Sequence, residues 1–241
     1  MARAALANIH FFLEWNWAAA EVEYQRAIAL DPSYVWGRQL YAGALASQGR
    51  FDEALEQVQK VRERDPLVLA STGGVDLGML RIWKGDAVGA VEAWKGALDL
   101  QPTHYASLLN LGGYYCGSGR ADEGLALLER ARELYPETPR VLAELAAGHA
   151  ESGNEVESRR LLGELEEWFL RDYVDPVNLA IVHLALGEDD RVFAWLERAY
   201  DRRASMMTDI GSDPRFERLY SDPRFRDLLE RVGLRERSPR G

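Results

Sequence analysis

Apolar residues recur along this chain at i, i+3, i+4 and i+7, in stretches of about 14 residues that come in pairs across a glycine. In one well-formed pair, Leu108, Leu111 and Tyr115 mark a face before the turn, and Leu125, Leu128 and Ala131 mark the facing stripe after it. No sustained alternation with period two is present, so the pattern predicts helices and no strands. Two rulers set the phase. Gly49, Gly85, Gly119, Gly153 and Gly187 are spaced 36, 34, 34 and 34 residues apart. Pro32, Pro66, Pro102, Pro136 and Pro176 are spaced 34, 36, 34 and 40 apart. Each unit therefore reads as helix, glycine turn, helix and proline stop, the glycine supplying positive φ after the first helix. Asp52, Glu53, Asp86, Asp122, Glu123, Asp189 and Asp190 fall at the start of a second helix, where carboxylates meet the positive end of the helix dipole.

Small residues hold fixed places in the repeat. One column reads Ala42, Gly78, Gly112, Ala146, Ala180, a second Ala20, Ala54, Ala90, Gly124, and a third Ala27, Val61, Ala97, Ala131, Ala199. Between the last two stands a larger residue: Tyr24, Val58, Trp94, Leu128, Leu162, Leu196. Small against large at constant phase is what close, interdigitated helix packing requires.

These residues resemble the tetratricopeptide repeat family. The unit with Leu108, Leu111-Gly112, Tyr115, Gly119, Gly124, Leu128, Ala131 and Pro136 matches best, and Tyr41-Ala42, Gly49, Ala54, Val58 and Pro66 match in the second. The resemblance implies an all-α, right-handed solenoid of about six helical pairs: 1–34, 35–68, 69–104, 105–138, 139–172 and 173–201. The late arrival of Pro176 predicts a longer second helix in the fifth pair. From 202 to 241 the period stops. Asp-Pro-Arg-Phe occurs at Asp213–Phe216 and again at Asp222–Phe225, and each reads as a helix start, with Asp as cap and Pro in the first position. This stretch is expected to be a helical cap with a short basic tail, its Phe216, Phe225 and Leu228 covering the sixth pair. It is similar to the end region of tetratricopeptide arrays attached to bacterial signalling proteins such as nucleotide cyclases, Ser/Thr kinases and winged-helix regulators. The Trp15-Asn16-Trp17 turn is similar to one in the same arrays.

Composition narrows the function. Among 241 residues, 39 Asp and Glu outnumber 29 Lys and Arg. A formal charge of −10 argues against a protein that grips a nucleic-acid backbone. One cysteine, Cys116, excludes an internal disulfide or thiolate cluster, and four histidines leave little for a metal. No run is long and apolar enough to span a bilayer, so a cytoplasmic setting is expected. There is no phosphate-binding glycine loop ending in Lys-Ser/Thr, no His-Glu-x-x-His and no Gly-x-Ser-x-Gly. His149 and His183 share a repeat position and read as core residues. No enzyme activity and no cofactor are expected.

The resemblance implies that the first helix of each pair lines a concave groove. Here those positions are Trp36, Gln39, Gly43, Thr72, Val75, Met79, Ile82, Leu109, Gly113, Cys116 and Arg140, a mainly apolar set suited to a peptide or helix of a partner protein. Only Asn110 and Arg140 are similar to the residues with which family members clamp an acidic peptide terminus. The chain is read as an interaction module, either a free-standing adaptor or a regulatory arm of a larger cyclase, kinase or transcriptional regulator. Its opening residues Ala4, Leu6, Ile9, Phe11, Phe12 and Leu13 have no cap of their own, so self-association or contact with an upstream domain is expected through the first helix.

Overall fold

The computed structural model describes residues 2–64 and 76–234. Among these residues every regular element is helical. A short helix α1, Ala2–Asn8, runs into a π-helical turn, Ile9–Leu13, and then α2, Trp17–Leu30. Three complete pairs bounded by visible glycine turns follow the second repeat's α3, Val35–Ser47, and α4, Phe51–Arg64. Before them come α5, Leu77–Lys84, and α6, Ala87–Leu100. The three pairs are α7, Tyr105–Gly117, with α8, Ala121–Leu134; α9, Pro139–Glu151, with α10, Glu155–Arg171; and α11, Pro176–Ala185, with α12, Asp189–Asp201. Two 3-10 turns, Ser205–Thr208 and Pro214–Leu219, and a last helix α13, Pro223–Val232, complete the described chain.

The expected turn chemistry is present. Gly49, Gly85, Gly119, Gly153 and Gly187 have φ between +74° and +99°. Caps start the helices: Asn16 Oδ1 accepts from the Ala19 amide, Asp76 from Met79, Asn154 from Glu157 and Asp175 from Val177. The fifth pair has the longer second helix, 17 residues in α10 against 14 in α8. Pro66, the groove positions Thr72 and Val75, and the basic tail from 235 lie outside the described residues.

The chain forms two compact units. The second, Val91–Arg202, is built from the most regular repeats. Its columns interlock as the spacing requires: Gly112 and Gly124 face one another backbone to backbone, with Cys116 and Leu128 filling the space around them. Leu128, Ala131, Ala146, Ala180, Leu196 and Ala199 are fully buried.

The first unit comprises Met1–Ala90 together with Arg203–Gly241. Its core gathers Ala7, Phe11, Tyr24, Tyr41, Leu45, Val58, Leu80 and Trp83. Here the structure corrects the sequence reading of the tail, which had assigned it to the sixth pair. The segment after Arg202 joins the first two repeats instead. Ser212 Oγ donates to the Ala46 carbonyl at 2.8 Å, and Ser47 Oγ donates to Asp209 at 3.0 Å. Trp17 Nε1 donates to the Val232 carbonyl at 3.1 Å. The Arg203 guanidinium lies 4.0 Å from the centre of the Trp15 ring. Both Trp15 and Arg203 hold positive φ, 51° and 52°, an uncommon state for such bulky residues. The Asp-Pro starts behave as read: Asp213 accepts from the Arg215 amide and Asp222 from the Arg224 amide, though the first opens a 3-10 turn and the second a true helix.

The physical reason is apolar area. Ala204, Met207, Ile210, Phe216, Phe225, Leu228 and Leu229 are all buried, a stripe that needs a matching surface. The π-helical turn Ile9–Leu13 and the start of α2 supply one. The expected open N-terminal face is therefore largely closed, with Ala4, Ala7 and Phe11 turned inward and only Leu6, Ile9 and Leu13 left 38 to 55% exposed.

Candidate functional site

The groove positions read from the sequence divide three ways. Trp36, in the first turn of α3, is 37% exposed. Met79 and Ile82 on α5 are half-buried and lean on the core that contains Leu80 and Trp83. These three belong to the first unit. Gln39, Leu109 and Cys116, in contrast, are buried at 1 to 2% exposure. They pack inside their units and present no surface to a partner, because each lies on a helix whose neighbours close over it. Burial pushes the Cys116 thiol up to about 11, which favours the neutral thiol at neutral pH.

Arg140, on α9 of the second unit, is accounted for by a neighbour the sequence reading passed over. Its guanidinium reaches Glu144 at 3.6 Å, one helical turn away, and Glu144 is itself buried. Glu144 Oε2 lies 3.5 Å from where a side chain at Gly113 would begin. Asn110, Glu144 and Asn178 stand 34 residues apart, so a polar column runs through α7, α9 and α11. The signal was available in the sequence: a carboxylate inside Val-Leu-Ala-Glu-Leu-Ala-Ala, at the same step as Asn110. Asn178 Oδ1 is sealed from solvent with no hydrogen-bond donor.

Of the two histidines expected in the core, His149 is only half-buried, with its Nδ1 lacking a hydrogen-bond partner, whereas His183 is a core residue. His183 is buried and its Nδ1 meets Glu188 Oε2 at 2.6 Å, while Glu188 Oε1 meets Arg159 at 2.7 Å. The His183 hydrogen bond first, and Arg159 second, hold the Glu188 carboxyl below the usual glutamate range. A carboxyl depressed in the folded state adds stability above its unfolded value, near 4.5, and loses it as pH falls further. Glu188→Gln is therefore expected to lower stability at neutral pH, to cost little once the carboxyl is protonated, and so to flatten the acid limb below about pH 4.5. Urea unfolding at pH 3.5 and 7 checks this, and an unchanged acid limb would refute it. Among the described residues no three His, Cys, Asp or Glu side chains are arranged to hold a metal ion, and no helix is long and apolar enough to cross a membrane.

A different concavity is formed by the second unit alone. The end of α8, the Tyr135–Thr138 connection, the start of α9 and the last turns of α10 enclose about 240 Å³. It is lined by both apolar side chains, Pro136, Val141, Leu142 and Trp168, and charged ones, Arg132, Glu164, Glu167 and Arg171.

Paired antiparallel helices at a 34-residue step, glycine-turned and proline-stopped, with small-against-large columns buried between them, define an α-solenoid of helix-turn-helix repeats. The tetratricopeptide repeat family model matches residues 12–70 and 84–148. The chain belongs to the tetratricopeptide repeat family, whose members are protein-interaction modules. Solved structures agree in fold. The chain is similar to PilW, a widely conserved type IV pilus biogenesis factor, with a TM-score of 0.59 and 15% identity over 91% of this chain and 97% of that one. It is similar to PilF of Pseudomonas aeruginosa, with a TM-score of 0.55 and 16% identity over 95% and 96%. A tetratricopeptide repeat protein of Parabacteroides merdae gives 0.54 and 15% over 96% and 98%. Among curated protein sequences nothing matches.

Proposed function

We propose that this protein is a non-enzymatic scaffold of bacterial signalling in the cytoplasm, which captures a peptide or helix of a partner protein on an apolar surface of its first unit. The observation that carries the reading is Trp36: a large aromatic side chain, 37% exposed in the first turn of α3, in the same unit as the half-buried Met79 and Ile82. Aromatic and methionine side chains in such positions are favoured anchors at protein interfaces. The paired Asp-Pro-Arg-Phe starts in the tail favour the companion reading, a regulatory arm of a cyclase, kinase or transcriptional regulator. Leu6, Ile9 and Leu13 offer a second contact of the same scaffold, through which copies self-associate.

Affinity capture with the intact chain, followed by partner identification, tests the reading when Trp36→Ala and Met79→Glu are run beside it. Each substitution is expected to weaken capture of the same partner by about tenfold or more while helical circular dichroism stays unchanged. A partner retained by both variants would overturn the assignment of this surface.

A further inference from the structure

We infer that the cleft at the end of α10 is a docking site for a basic segment of a partner protein, with one apolar or aromatic side chain as its anchor. This site lies in the second unit and does not depend on the surface proposed above.

The first observation is a departure from the repeat. α10 has 17 residues where α8 has 14, nearly an extra turn. Part of that turn packs internally: Phe169 meets Trp195 edge to face at 5.0 Å. The rest does not serve repeat packing. Leu170 is 84% exposed, and Tyr173 just beyond is 63% exposed. Trp168 and Arg171 form one wall of the cleft, opposite Pro136 and Thr138 of the neighbouring connection. Local breaks in an otherwise regular pattern are where function is expected.

The second observation is size. The enclosed 240 Å³ is below the roughly 300–1,000 Å³ of sites that hold free small molecules. Val141 and Leu142 are buried beneath it. With Pro136, Val141, Leu142 and Trp168 among its lining residues, a space of this volume takes a single leucine, phenylalanine or similar side chain presented by a larger molecule.

The third observation is charge. Of the two lining arginines, Arg132 is already matched. Arg132 pairs with Glu164 at 3.1 Å, and Arg160 also binds Glu164. Arg171 lies 4.0 Å from Glu167 with both side chains more than 70% exposed, a separation and exposure at which an ion pair contributes almost nothing. Glu167 thus remains open to a better cation. Glu133, Glu137 and Glu166 flank the lining residues in sequence, and the described residues give them no ion-pair partner. The second unit contains 21 Asp and Glu against 11 Arg and Lys, so it carries the whole formal excess of ten negative charges. A field of that sign draws in lysine- and arginine-rich segments and repels acidic ones and nucleic acid.

The test uses the full chain and three short peptides: acetyl-Lys-Lys-Phe-Lys-Lys-amide, the same with Ala for Phe, and the same with Glu for every Lys. Binding is read from the Trp168 indole signal in two-dimensional NMR, assigned with Trp168→Phe. The basic phenylalanine peptide is expected to shift this signal saturably, with a dissociation constant of about 1 mM or tighter. Affinity is expected to fall about tenfold when Phe is removed. Glu167→Lys, a surface change that leaves the core intact, is expected to weaken binding at least fivefold. The inference is overturned if the basic peptide gives no saturable shift at Trp168, if the acidic peptide binds as well, or if Glu167→Lys binds like the parent.

Discussion

Gly124→Ala is expected to destabilise the second unit, although alanine is the better helix former. A Cβ at this position would lie 2.6 Å from the Gly112 carbonyl oxygen, 2.7 Å from the Cys116 amide nitrogen and 2.5 Å from the Cys116 sulfur. Two of those atoms are backbone and cannot step aside without moving α7. The helix-propensity gain of about 1 kcal/mol is set against an overpacking cost of about 1–3 kcal/mol, and more where contacts are this short. The net loss is put at about 2 kcal/mol, with Gly124→Leu costlier still. Gly163→Ala in α10 is the internal comparison, since nothing lies within 4 Å of its added carbon. It should gain up to about 1 kcal/mol. Thermal unfolding separates the two, at about 2–4 °C per kcal/mol for a chain of this size. Equal midpoints for the two variants would show that α7 and α8 do not touch as described.

Phe225→Ala carries the other large effect. Its side chain is fully buried and stacks on Phe216 with ring centres 5.9 Å apart and planes 12° apart. Truncating a core phenylalanine costs about 3–5 kcal/mol. The informative part is where the loss appears. Because the tail belongs with the first two repeats, amide hydrogen exchange should rise across α1 to α4, while α7 to α10 keep their protection. Faster exchange confined to residues 105–201 would return the tail to the sixth repeat and contradict the hydrogen bonds to Ala46, Ser47 and Trp17.

The repeat itself was legible because two independent spacings and three small-residue columns all report the same local contacts. Helix pairs touch partners about one repeat away, so their packing is written in a 34-residue step. Gly49, Gly119 and Gly153 needed positive φ and have it; Pro176 arrived late and α10 is longer. The tail was misread for the converse reason. Its partner residues, Trp17, Ala46 and Ser47, lie far away in sequence, and periodicity carries no information about contacts that do not repeat. The groove positions suffered from a similar limit. A repeat register says which residues start on one face of a helix, but burial of Gln39, Leu109 and Cys116 depends on what else closes over that face. Glu144 beside Arg140 was readable as a polar residue in an apolar run. The cleft beside Trp168 was not, since it arises from three elements meeting at their ends.

The bond from Trp17 to Val232 spans 215 residues, and that from Ser212 to Ala46 spans 166. Closing a loop of 215 residues instead of 34 costs about 1.6 kcal/mol more in chain entropy. The more pressing consequence is the order of events during synthesis. Chains emerge at about 5–20 residues per second, so the surface around Trp17, Ala46 and Ser47 leaves the ribosome on the order of ten seconds or more before α13 exists to cover it. The repeats of the second unit need only their neighbours and can form as they appear. Within these residues, the segment that emerges earlier is thus finished later: the emergence of α13, not of α1, marks the moment at which the first unit acquires its native protection.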